Sequence, residues 1–207
     1  MTFESLLAFA SIVFLIAVIP GPNALLVLFT ALAKNRFMAF ANVAGVALGF
    51  IVHAFISALG LSLLIAQSTM AFMALKWVGV IYLLWLGWSN LKAGLNLKSL
   101  NVPKNNQVNS LTSNFVKGLL TNLLNPKIVL FYLSIFPQFV SQDAVLIESL
   151  LLGVTQAVVV STWFLVVILL ARSFKQFLTN AKSARVLNFL SGGLFVAFSA
   201  KLATAEL

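Results

Sequence analysis

Pro20-Gly21-Pro22-Asn23 interrupts an apolar stretch, Phe3 to Ala33, that is long enough to cross a membrane. Asn125-Pro126-Lys127 interrupts another, Asn114 to Val140, in the second half of the chain. Proline lacks an amide hydrogen and its ring clashes with the preceding turn, so each motif ends or kinks its helix. In lipid, the backbone groups freed at a break need partners in protein or in a water-lined cavity. Pro20, Gly21 and Pro22 therefore make one structural break and Pro126 the other. Broken spans at corresponding places in two halves point to the binding site of a membrane carrier.

The composition requires a bilayer. The 207 residues are 61% hydrophobic and 8% charged, with a mean hydropathy of +1.07, whereas soluble domains carry about 25% charged residues. The predicted class is an all-α polytopic membrane protein. A span needs about 20 apolar residues, and six stretches qualify: Phe3–Ala33, Ala39–Ala66, Met70–Leu91, Asn114–Val140, Val145–Ala171 and Ala184–Ala203. Glu4 replaces the positive start of a signal peptide and the apolar run continues past such a segment, so Phe3–Ala33 reads as a first span. The absence of cysteine excludes disulfides and thiolate chemistry.

The net charge of +9 does not imply nucleic acid, because the basic residues lie in short connections between spans. Lys34, Arg36, Lys92, Lys98, Lys104, Lys117, Arg172, Lys175, Lys182 and Arg185 fall on one side. Lys76 and Lys201, with Glu4, Asp143, Glu148 and Glu206, fall on the other. The positive-inside rule then predicts both termini outside the cytoplasm. Three spans followed by three make the halves antiparallel by parity. The expected organisation is one domain, 1–207, with repeat one at about 1–95, a polar linker at about 96–113 and repeat two at about 114–207. Gly45-Val46 with Phe55 and Gly153-Val154 with Trp163 echo one another, as do Gly79 with Tyr82 and Gly192 with Phe195.

Lys127 is the most informative residue. It lies about ten residues, or about 15 Å of helix, from Lys117 at the basic end, near mid-bilayer. An ammonium there needs a partner. It can bind a carboxylate together with the amides of the half-helix that starts after Pro126, or cap carbonyls freed by the break at Pro20. Asn23, Asn122, Asn125 and Gln156 are the other candidate substrate-binding residues, each offering amide donors and acceptors. His53 is the candidate proton-coupling group, as the sole histidine; a packing histidine is the alternative. Gly45 and Gly49, one helical turn apart, suggest a close helix seam that serves internal packing or a homo-oligomer. No acid falls near the expected midplane, which counts against a metal-ion carrier. Nothing resembles a nucleophile with its base, a nucleotide loop or a metal motif, so neither an enzyme nor a cofactor is expected. The residues leave three classes open: an amino-acid carrier, a carrier of ions or other metabolites, and a non-transporting scaffold subunit.

These motifs together resemble the LysE/RhtB amino-acid exporters. Pro20-Gly21-Pro22-Asn23 is similar to that family's first-span signature, and Asn125-Pro126-Lys127, Phe131 and Phe136-Pro137-Gln138-Phe139 to its fourth. Gly79-Val80-Ile81-Tyr82-Leu83 with Gly87 resembles its third-span pattern, and the matches keep their order over essentially the whole chain. The resemblance implies a bacterial inner-membrane protein that exports small, neutral amino acids or close derivatives, driven by the proton gradient. Its homoserine, threonine and leucine branch fits better than its lysine and arginine branch. Many members carry Asp where this chain has Asn23, which removes a carboxylate from any coupling scheme there.

Overall fold

A computed structural model describes residues 1–19, 21–33, 35–67, 69–95, 110–171, 173, 175 and 180–204. Among these the chain is helical, without strands. Pro20, and most of the expected linker, lie outside the described residues.

Local chemistry sets each helix end. In α1 (Phe3–Val18) the Thr2 hydroxyl accepts the Ser5 amide, and Glu4 favours the positive end of the helix. The helix stops because the residue before a proline is driven out of the α region, and Ile19 has φ −70°, ψ 119°. Helix α2 (Pro22–Ala33) begins on its proline, where the missing amide hydrogen costs nothing. Helices α3 (Arg36–Gln67) and α4 (Thr69–Leu95) are unbroken. The fourth expected span is two helices, α5 (Leu111–Leu123) and α6 (Pro126–Ser134), followed by a 3₁₀ turn at Phe136–Phe139. Helix α7 (Val145–Leu169) and helix α8 (Ala181–Thr204) complete the set. Helices α4 and α5 reach Leu95 and back to Leu111. Helix α4 therefore ends where composition starts the linker, and α5 begins inside it.

Arg36–Gly60 and Val145–Leu169 are each long and apolar enough to cross a bilayer. The pair Phe3–Val18 and Pro22–Leu32, bent by 57°, forms a third such unit. The surface confirms the solvent. Phe3, Ile81, Trp88 and Ile147 are between 66% and 78% exposed, whereas Asn42, Asn114, Asn122 and Gln156 are at most 2% exposed. Apolar side chains face outward and amides inward, as expected where lipid surrounds the protein.

Helix α3 packs against α5 and α7, α4 against α8, and α1 against α7. The α3–α5 seam is unusually close. A Cβ at Gly45 would overlap the Phe115 carbonyl oxygen, and one at Gly118 would overlap that of Asn42. The two backbones therefore touch through reciprocal glycines, a geometry that allows Cα–H···O contacts. Phe9 sits inside a ring cluster with Phe131, Phe136 and Phe139 at centroid distances of 5.8, 6.0 and 5.3 Å. Beyond it, Glu148 accepts the Met1 ammonium at 2.6 Å and the Ser141 amide at 2.7 Å.

Candidate functional site

The two breaks meet through Lys127. The Asn125 side chain accepts the Lys127 amide at 3.1 Å, the N-cap bond that starts α6 on Pro126. From this first turn the Lys127 ammonium crosses to the end of α1. It donates to the carbonyl oxygens of Ile16 at 2.7 Å and Ile19 at 3.1 Å. These belong to the helix end that Pro20 leaves without continuing amides. Gly21 lies beside this ammonium: a Cβ there would meet the Lys127 nitrogen at 3.7 Å, an ordinary van der Waals contact. An ammonium has three donors, so these two bonds leave one.

Lys127 borders a cavity shared with Asn23 and Gly21 of the first break, Asn125 of the second and Gln156 of α7. Val13, Ile16, Phe50, Val160 and Phe164 supply apolar wall. Its volume is about 30 Å³, room for one or two waters and far below the roughly 300–1,000 Å³ of ligand pockets. The site is narrow. The side-chain oxygens of Asn23 and Gln156 are buried in it without a partner. Each such acceptor costs about 1–3 kcal/mol until a donor arrives. The cavity therefore suits an occupant that brings hydrogen-bond donors, whether water or a small molecule with N–H groups.

Behind this cavity the second break has its own support. Asn122 offers its carbonyl oxygen to the Asn125 amide at 3.1 Å, and His53 Nε2 lies 3.4 Å from the same oxygen. The His53 ring stacks on Tyr132 at 5.1 Å, and Tyr132 donates its hydroxyl to the Phe50 carbonyl at 2.8 Å. Both amide atoms of Asn122 lack a partner. The side chain presses on Gly49, where a Cβ would lie 2.5 Å from Asn122 Oδ1.

Of the residues singled out from the sequence, Asn23, Asn125, Lys127 and Gln156 come together around one space, with Gly21 beside them. Asn122 and His53 lie outside that lining, in the α3–α5 seam and against α6. Pro22 and Pro126 open α2 and α6. Sequence reasoning missed the walls formed by Phe50, Val160 and Phe164, and the anchoring of Tyr132. An apolar residue in an apolar span carries no mark of the cavity it faces.

Known proteins share this chain's full extent. Residues 14–206 match the family described as LysE type translocator. The homoserine/homoserine lactone efflux protein of Salmonella typhimurium is 32% identical over 209 residues, covering 100% of this chain and 99% of that protein. The leucine efflux protein of Klebsiella pneumoniae is 33% identical over 195 residues, covering 92% and 91%. An uncharacterized membrane protein, YrhP of Bacillus subtilis, is 30% identical over 205 residues, covering 96% and 98%. No solved structure matches the chain. It is an integral membrane protein with no indicated catalytic function, its relatives support amino-acid efflux, and the chain belongs to the LysE type translocator family.

Proposed function

We propose that this protein is a secondary active exporter of small, neutral amino acids or close derivatives across the bacterial inner membrane. The observation that carries the reading is the cavity in which Lys127, Asn23 and Gln156 converge on the two breaks. The substrate ammonium would satisfy the unpartnered oxygens of Asn23 and Gln156. Its carboxylate would take the remaining donor of Lys127. The apolar walls favour an uncharged side chain and oppose a second cation. The homoserine, homoserine lactone and leucine in the relatives' names are of this class.

The scaffold is one domain, 1–207, of six spans in two inverted repeats, with both termini outside the cytoplasm. The helix contacts support this symmetry. Exchanging the halves maps the α3–α7 and α4–α8 pairs onto themselves, and maps α1 against α7 onto α5 against α3. Rocking one repeat against the other would widen the narrow cavity toward each side in turn.

The direct test is efflux from cells loaded with dipeptides, reading every released amino acid with and without a protonophore. Faster release of a few neutral amino acids, lost when the gradient collapses, is the expected result. Unchanged release of all of them, with the protein in the membrane, would reject the reading.

Two substitutions refine it. Replacing both acceptors, Asn23→Ala with Gln156→Leu, is expected to raise the substrate concentration for half-maximal efflux by about tenfold or more, since each bond contributes about 0.5–1.5 kcal/mol. Wild-type affinity would assign both amides to packing. His53→Gln is expected to slow efflux less than about tenfold, because its single long bond to Asn122 lies in the same energy range. Protonophore sensitivity should persist in that variant; its loss would make His53 the proton-coupling group.

A further inference from the structure

We infer that substrate reaches the Lys127 cavity from the basic end of the protein along the seam between α2 and α7, through a second and larger cavity that first receives the zwitterion. This deepens the transport reading and rests on it. The second cavity has a volume of about 560 Å³, against about 30 Å³ for the central one. It is bounded by Ala31 and Leu32 near the end of α2, Arg36 at the start of α3, Ile168 and Leu169 at the end of α7, and Leu170, Ala171 and Ser173 just beyond it. This volume falls in the range of small-molecule sites.

The same two helices border both spaces. On α7, Phe164 lines the central cavity and Ile168 the larger one. They are four residues apart, about 6 Å of helix. On α2, Ala24 lines the central cavity and Ala31 the larger one. Leu28 falls between them at helical spacing on one face. Leu28, Phe164 and Ile168 are each no more than 2% exposed. A dry partition about one turn thick thus separates a space that can hold an amino acid from the space that carries the unpartnered acceptors.

The larger cavity has the chemistry of a zwitterion receptor. Two helix C-termini converge there, and their partial negative charge favours an ammonium. Arg36 supplies a guanidinium for the carboxylate. The partition can open because α2 is a 12-residue half-helix joined to α1 at the 57° bend. A pivot at that bend would move Leu28 away from α7 without unfolding either helix.

The chain contains no cysteine, which makes a single introduced thiol a clean reporter. In Ala31→Cys, a membrane-impermeant maleimide should react in inside-out vesicles and not in right-side-out ones. Reaction should slow when neutral amino acids are present, and the bulky adduct should cut efflux at least tenfold. Ala31→Trp should block efflux likewise at unchanged abundance, while a small methyl thiosulfonate on Ala31→Cys should leave more activity than the maleimide. A thiol that does not react, or reacts only from the opposite face, would overturn the inference. So would full labelling with unchanged efflux, which would make the cavity a niche for lipid headgroups or water. Labelling is independent of transport; unlabelled wild-type protein that exports nothing would instead reject the transport reading itself.

Discussion

Lys127→Ala is expected to lower export by about a hundredfold or more while leaving protein in the membrane. The ammonium makes two hydrogen bonds to the Ile16 and Ile19 carbonyls. Bonds from a charged donor contribute about 1.5–3 kcal/mol each, and about 1.4 kcal/mol corresponds to a factor of ten. Truncation removes the charged donor from both carbonyls and leaves them to water. It also removes the remaining donor offered to a substrate carboxylate. The measurement is initial efflux rate normalised to membrane abundance. Export equal to wild type at equal abundance would remove Lys127 from the mechanism. An amino-acid amide, which lacks the carboxylate, separates the two roles. If Lys127 serves only to clasp the breaks, the variant should lose amide and acid transport equally; if it also binds carboxylate, wild-type protein should favour the acid.

Gly118→Leu should do its damage before any transport is measured. A Cβ at this position would overlap the Asn42 carbonyl oxygen, and the reciprocal contact joins Gly45 to the Phe115 carbonyl. The neighbour in each case is backbone and cannot rotate away, so α3 and α5 must separate. Overpacking costs about 1–3 kcal/mol, and loss of each Cα–H···O contact about 0.5–1 kcal/mol. Together they predict an apparent Tm lower by about 4–20 °C, taking about 2–4 °C per kcal/mol for a chain of this length. Gly60→Leu, on α3 but with nothing near its Cβ position, is the matched control and should be neutral. Equal thermal stability of the Gly118 and Gly60 variants in detergent would show that the seam is looser than its geometry. Because α5 carries the helix end from which Asn125 caps α6, separation should also weaken the Lys127 clasp.

The sequence by itself determined the solvent, the helices and the breaks. Apolar runs of span length, few charges and no soluble-looking domain leave lipid as the environment, because backbone polarity has to be satisfied within each segment. Proline chemistry is local, so the breaks at Pro20–Pro22 and at Pro126 could be read without knowing any neighbour. Gly45 was legible as a close-packing residue for the same reason. Its spacing with Gly49 implies a smooth face, although the partner, α5, was not legible. The inward placement of Asn23, Asn125, Lys127 and Gln156 followed from the cost of polar groups in lipid.

Only the tertiary structure decided what those residues meet. The bonds from Lys127 to Ile16 and Ile19 span 111 and 108 residues of sequence. Their acceptors are backbone oxygens, which every residue possesses, so no side-chain pattern could mark them. The same holds for Tyr132 on the Phe50 carbonyl and His53 near that of Asn122. Asn122 offered the same amide chemistry as Asn125, yet one turn of helix directs it against Gly49 instead of into the cavity. The partition of Leu28, Phe164 and Ile168 was likewise invisible, since in an apolar span a gate residue and a packing residue have the same composition. Direction of burial depends on how helices cross, and that is fixed by contacts remote in sequence.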